Sequence, residues 1–226
     1  MTRTPSLERS VGAAAVRDTV PVAASIAPLA LVIGATAART GVPVPADMAG
    51  AAVIFAGAAH LAVLTTIGAG VLTALSAAVL INVRLLLYSA SIEPRFRRQP
   101  GWFRWLGPAL LIDQTYLMVT ARDDLAEPAR FRRYWSCAGG LLMACWVVTV
   151  GLGSVLGPLL PAGVPLDAAA VAVLVGMLAP RVKAWRTAAV AVTALLAAAV
   201  LPGGLGLLVG IVAGAAVGAA LDRWAS

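Results

Sequence analysis

Apolar residues in this chain run in long unbroken blocks, and the polar residues collect between them. Continuous runs of this length predict helices, because a half-buried strand would alternate apolar and polar positions. The first run goes from Val20 to about Ala38 and contains Pro21 and Pro28. Pro21 fits a first turn, whereas Pro28 removes an internal hydrogen bond and predicts a kink. A kinked span can show backbone groups to a substrate, although proline is also common in membrane helices. Arg39 to Asp47, containing GVPVP, reads as a short loop. Met48 to Ser91 is too long for one span and about right for two, with a hinge near Gly68 and Gly70. Pro108 to Ala121 is barely long enough to cross and reads as a thin span or a re-entrant piece. Four further helices follow: Tyr134 to about Leu160, Leu166 to Ala179, Thr187 to Leu201, and Leu205 to Leu221 after the turn Pro202, Gly203, Gly204.

Composition narrows this to a membrane protein. The 226 residues are 61% hydrophobic and 12% charged, with a mean hydropathy of +0.92, where a soluble domain carries about 25% charged residues. The expected fold is an all-α polytopic integral membrane bundle of about eight segments, some re-entrant or broken. It forms a single transmembrane domain over residues 1–226, with a polar N-terminal arm at 1–18 and no cleavable signal peptide.

The net charge of +7 does not indicate nucleic acid, because the arginines sit at the ends of apolar runs, where orientation and anionic lipid account for them. If all eight segments cross with the N-terminus inside, the loops at Arg122–Arg133 and Arg181–Arg186 fall inside and the Arg95–Arg104 stretch falls outside. Making either Met48–Ile67 or Pro108–Ala121 re-entrant moves the later loops, and making both re-entrant puts every basic loop inside. The Arg95–Arg104 stretch, with Trp102, Phe103 and Trp105 interleaved, has the composition of a membrane interface.

Several kinds of chemistry are disfavoured. Cys137 and Cys145 lie eight apart on one helix, about 12 Å along its axis, too far for an internal bridge. No metal-ligand spacing occurs and no cofactor is expected. Lys183 lacks the glycine-rich lead of a phosphate-binding loop.

The polar residues that remain inside apolar sequence are the candidates for function. His60 follows the small residues Ala56, Gly57, Ala58 and Ala59. Arg84, Tyr88 and Ser91 share one helix face by their spacing, with Asn82 nearby but off that face. Asp113, Gln114 and Tyr116 cluster in the short segment. Arg84 either faces a binding site or snorkels to the headgroups. Gly206, Gly210, Gly214 and Gly218 recur every four residues, a seam for close helix approach within the chain or against a second subunit.

Three elements, FAGAAH at Phe55–His60, NVRLLLYSASIEP at Asn82–Pro94 and LIDQTY at Leu111–Tyr116, resemble in order and spacing the AzlC family, the large subunit of bacterial branched-chain amino acid exporters. The likeness extends to the proline-containing first span and to LDAAAVAVLVGMLAPR at Leu166–Arg181. It implies a secondary transporter of the inner membrane, not an enzyme, exporting branched-chain or similar apolar amino acids with proton coupling. It also implies a small AzlD-type four-span partner subunit. Relatives commonly carry Gln where His60 stands and an acidic residue where Gln114 stands, which leaves Asp113 the only carboxylate of its element.

An amino acid substrate needs partners for a carboxylate, an ammonium and an apolar side chain. The carboxylate is assigned to Arg84 or nearby free N–H groups, the ammonium or a coupled proton to Asp113, and the apolar side chain to the region of Phe55 and Gly57. Asn82, Tyr88 and Ser91 supply hydrogen bonds. His60 is a candidate for proton exchange in the physiological range; the alternatives are a structural Arg84–Asp113 ion pair and a His60 that serves only packing. A non-transporting membrane scaffold remains a rival reading. An intramembrane enzyme would need a nucleophile–base pair that one histidine does not provide.

Overall fold

The computed structural model describes residues 5–161, 163–178, 185–200 and 204–223. Arg3, the basic loop residues Arg181 and Lys183, and the turn residues Pro202 and Gly203 lie outside the described residues. Helices and short 3-10 turns are the only regular elements among those described, as the unbroken apolar runs require. Two compact units emerge, Met1–Ala170 and Val171–Ser226.

The first unit is organised on two long helices, α1 (Pro5–Arg39) and α8 (Pro128–Leu156). Among the described residues these carry the two stretches long and apolar enough to cross a bilayer alone, Val11–Arg39 and Pro128–Leu159. The expected arm at 1–18 is not a separate element. From Pro5 on it is helix, and Val11, Ala15 and Thr19 are buried along one face of α1. Pro28 lies within this single helix.

Glycine lets α1 and α8 meet backbone to backbone. A Cβ on Gly153 would fall on the carbonyl of Leu31, one on Gly34 would fall on Val150, and one on Gly157 would press on Ala35. This is a small-residue seam of the kind that lets dispersion and close contact bind helices where lipid removes the hydrophobic drive. Paired residue numbers rise together, from Asp18 with Tyr134, through Leu31 with Gly153, to Ala35 with Gly157. The two helices therefore run parallel.

The segments between them are shorter than expected. Met48–Ser91, read as two spans, is built from α2 (Val44–Ile54), α3 (Gly57–Thr66), α4 (Val71–Asn82) and the first part of α5 (Arg84–Arg97). The hinge expected near Gly68 and Gly70 is present at Gly70, whose φ of 112° is open to glycine. Helices α4 and α5 are bent by 44° at Val83 and together are apolar enough to make a third span.

The break between α2 and α3 gives no sign in the sequence. Phe55 adopts φ 38°, ψ 40°, and Ala56 is extended. A left-handed conformation is costly for a bulky residue and marks a constrained turn. Asp47 and His60, thirteen residues apart, are in contact across it. A continuous helix would separate them by about 20 Å along its axis, so the chain doubles back at Phe55. Met48 packs at Gly151, and Gly57 packs against Leu29 and Trp146. The hairpin thus dips along α8 to the level of Leu29, near the middle of α1, and returns. The segment expected to span or re-enter at 48–67 has the re-entrant geometry.

Pro108–Ala121 is likewise no straight crossing. The chain passes from α6 (Gly101–Leu106) through a 3-10 turn to extended Leu111 and Ile112, then into α7 (Asp113–Thr120). Trp135 Nε1 donates to the Gly107 carbonyl at 2.7 Å, and Leu110 packs at Gly139, so this stretch climbs α8 by about one turn. Helix α7 descends again, since Arg122 beyond it pairs with Asp18 and lies over Tyr134. At this end α5, α6 and α8 close on an aromatic cluster of Phe96, Phe103, Phe131 and Trp135. Trp102 and Trp105 stay exposed, as in an interfacial helix.

Arg122 also ties the loop after α7 to Asp124 at 2.9 Å. That hydrogen bond holds the Asp124 carboxyl below its ordinary range, against the opposing effect of burial. The tie is therefore present above the ordinary carboxylate value and is lost as pH falls through the lowered one. Its exposure keeps the contribution small.

The remaining helices are α9 (Leu166–Leu178), α10 (Trp185–Val200) and α11 (Gly204–Arg223), close to the expected boundaries. In the second unit α11 packs on α10, with Gly214 against Ala194 and Val190, and Gly218 against Val190. At these two glycines the seam serves packing within the chain. Gly210 is also buried, and Gly206 lies on the same helix. The two free cysteines, both on α8, are not bridged. By length and hydropathy the described helices supply two spans, or three with the bent pair, of the eight segments expected.

Candidate functional site

The polar residues singled out in the sequence fall into two groups. The first is built on α5 and α7. Arg84 opens α5, just beyond the bend and near the middle of the Val71–Arg97 pair, and Asp113 opens α7. Arg84 Nη1 lies 2.9 Å from Asp113 Oδ2, with the side chains 44% and 24% exposed. Arg84 is thus neither snorkelling alone nor deeply buried. Its ion pair borders open space, which in a bundle means lipid, water or a ligand.

One and two turns on, Tyr88 stacks on Tyr116 with ring centroids 4.4 Å apart, and Ser91 Oγ lies 3.0 Å from Tyr116 Oη. The spacing explains the match: positions i, i+4 and i+7 of α5 meet positions i and i+3 of α7. Asp113 Oδ1 and Asn82 Oδ1 are both buried and accept no hydrogen bond. Gln114 is half-buried beside Asp113. Thr115 closes the start of α7 by accepting the Ile112 N–H at 3.0 Å and donating its hydroxyl to a carbonyl of Leu110 or Ile112.

The second group sits on the α2–α3 hairpin against α8. His60 Nε2 is 3.0 Å from Asp47 Oδ1, and the side chains are 3% and 0% exposed. The contact is close, but Oδ1 receives no aligned hydrogen bond, so it is an electrostatic contact first. Ser154 donates its hydroxyl to Asp47 Oδ2. His60 Nδ1 is buried without a partner. Phe55 forms the turn of the hairpin and is buried, and Gly57 packs against Leu29 and Trp146.

Asp47 and Ser154 were missed by the sequence reading. Asp47 lay at the end of an apparent surface loop, next to prolines, and Ser154 in an unremarkable small-residue stretch. The signal that could have marked Asp47 is its place in a first helical turn after Pro43 and Pro45, where a carboxylate complements the helix dipole.

Among the described residues no cluster has the makings of a metal site. The two groups offer paired charges, acceptors without donors and breaks between helices. The model of the AzlC protein family matches residues 21–160, from the middle of α1 to just beyond α8, and so includes both polar groups. This chain belongs to the AzlC family. That family is associated with branched-chain amino acid transport and is of transporter type, which agrees with a membrane location for these apolar helices. No curated protein and no solved structure matches the chain.

Proposed function

We propose that this AzlC-family chain is the transport subunit of a multi-pass exporter in the inner membrane. Its substrates on this reading are branched-chain or similar apolar amino acids, and export is coupled to protons. The observation that carries the reading is the half-exposed Arg84–Asp113 pair. A zwitterionic amino acid is complementary to such a pair. Its carboxylate can accept from the Arg84 fork, and its ammonium can donate to Asp113, whose Oδ1 lacks a donor. The mutual contact of the two side chains is exchanged for two charge-assisted contacts to substrate.

The parallel run of α1 and α8 supports a specific topology. If only one of the segments 48–67 and 108–121 re-entered, α1 and α8 would be antiparallel. Either both cross or both re-enter. The reversal at Phe55 and the short α7 favour both re-entering, and that choice also puts every basic loop on the inside. Eight membrane segments result: α1, the α2–α3 hairpin, α4–α5, the α6–α7 excursion, α8, α9, α10 and α11. On this topology cysteines introduced at Trp105 and Asp123 are expected to react with an impermeant maleimide from the cytoplasmic side, and one at Gly41 from the opposite side. Labelling of Trp105→Cys and Gly41→Cys from the same side would remove the re-entrant assignment.

A small four-span partner would dock on the α4–α5 face. Leu72, Leu75, Val79, Leu86 and Leu87 on these two helices are exposed, and the Arg84 side chain is 44% exposed. A charge on a lipid-facing surface is costly, so a covering protein suits this face better than lipid alone. The scaffold reading makes no use of the ion pair.

The deciding experiment loads cells with leucine-containing dipeptides and follows efflux with and without the protein, alone and with a co-expressed four-span partner. Faster leucine efflux that depends on this chain is expected. Unchanged efflux under both conditions would leave only the scaffold reading.

A further inference from the structure

We propose that the buried Asp47–His60–Ser154 cluster is the proton-binding site of the transporter, with the exchanged proton carried on His60 Nδ1. This rests on the transport reading above. The cluster is distinct from the Arg84–Asp113 pair, so the assignment separates the residue that carries the proton from those that hold the substrate.

The geometry is specific. Asp47 and His60 are 1% and 2% exposed. They come from opposite arms of the α2–α3 hairpin, and Ser154 pins Asp47 to the long helix α8. Nε2 faces the Asp47 carboxylate and is the natural seat of the hydrogen of a neutral imidazole. Nδ1 is buried with no partner and is the position where a second proton adds or leaves. With that proton bound, the pair is carboxylate and imidazolium, neutral overall. Without it, a carboxylate remains whose only hydrogen-bond donor among the described residues is the Ser154 hydroxyl.

A lone buried charge is costly, whereas water can solvate it. Loss of the proton therefore favours hairpin positions in which water reaches the cluster, and binding favours the closed one. One proton is taken up at Nδ1 and one is released from it per cycle.

Nothing else charged among the described side chains faces the cluster. Helix α4, packed on α3, has no ionisable residue. On α1, Asp18 pairs with Arg122 and Tyr134, Arg17 is next to it at that same end, and Arg39 donates to the Pro161 and Val164 carbonyls. On α8 no charged residue lies between Tyr134 and Leu156.

The histidine also distinguishes two roles experimentally. Glutamine can bring a polar N–H close to Asp47 in place of the imidazole, but it carries no exchangeable charge. The full chain, with a four-span partner where export requires it, is reconstituted in liposomes. Two readouts are taken with labelled leucine: counterflow exchange at equal pH on both sides, and accumulation driven by a pH gradient. H60Q is expected to keep counterflow and to lose gradient-driven accumulation by at least about tenfold, within the usual range of coupling between linked sites. Purified wild-type protein in weak buffer is expected to exchange protons on leucine addition, and H60Q is not.

Retention of gradient-driven accumulation by H60Q would overturn the proposal. So would wild-type counterflow without any response to a pH gradient. Absence of counterflow in the wild type would instead overturn the transport reading itself, and this proposal with it. If H60Q does not reach the membrane, D47N is measured in its place with the same criteria.

Discussion

Gly153→Leu is expected to abolish the folded protein. A Cβ at this position already falls on the carbonyl of Leu31, and the rest of the side chain has nowhere to go but through α1. Overpacking a core with side chains free to shift costs about 1–3 kcal/mol. Here the obstacle is backbone on both sides, so the two helices must separate along the seam and lose the packing of Gly34 and Gly157 together. The cost should lie above that range, comparable with the whole stability of a marginal fold. The measurement is the yield of monodisperse protein in detergent and its thermal midpoint. Gly140→Leu on the same helix is the control, because a Cβ there meets nothing within 4 Å. Equal behaviour of the two variants would show that the α1–α8 seam does not hold the fold.

The second large effect is on transport. Arg84→Ala and Asp113→Ala should each lower leucine export by about 10- to 100-fold, which corresponds to the roughly 1.5–3 kcal/mol of a charge-assisted hydrogen bond. Such a loss alone does not tell substrate recognition from a structural ion pair. The exchanged double variant, Arg84→Asp with Asp113→Arg, does. A purely structural pair is restored by the swap, and export returns with the fold. A pair that receives a zwitterion presents its charges to the wrong ends of the substrate after the swap, so thermal stability recovers and export does not. Export recovering in step with stability would assign the pair to the bundle and remove it from the substrate site.

The charge relation of Arg84 and Asp113 also shows how much the sequence could deliver. Arg84, Tyr88 and Ser91 share a face by helical periodicity alone, and Asp113 and Tyr116 share one for the same reason. Local geometry makes each set available. Which set faces which follows from the return of α7 toward the start of α8, and that is decided by contacts of Gly107 and Leu110 with α8. Periodicity contains no information of that kind.

The other pair failed to show for a different reason. Asp47 stands after GVPVP, and prolines with a carboxylate ordinarily mark a surface turn. Its burial depends on a reversal at Phe55, a residue type with no preference for the left-handed conformation it adopts. A turn imposed on an unsuitable residue is held by the packing around it, here against Leu29, Trp146 and Ser154.

The sequence by itself determined the solvent and the class of fold. Long apolar runs with charges only at their ends can satisfy their backbone in lipid as helices and in few other ways. It also determined the family and the approximate limits of the last four helices, where runs end in proline, glycine and charge. Only the tertiary structure decided that the run after Asp47 turns back at Phe55, because an apolar block of twenty residues has the same composition whether it continues or turns back. The same holds for the seam that matters most in the first unit. Gly153 and Gly157 repeat the four-residue spacing seen in α11, but Gly34 lies more than a hundred residues away, and the pairing of the two sites appears only when two parallel helices bring backbone against backbone.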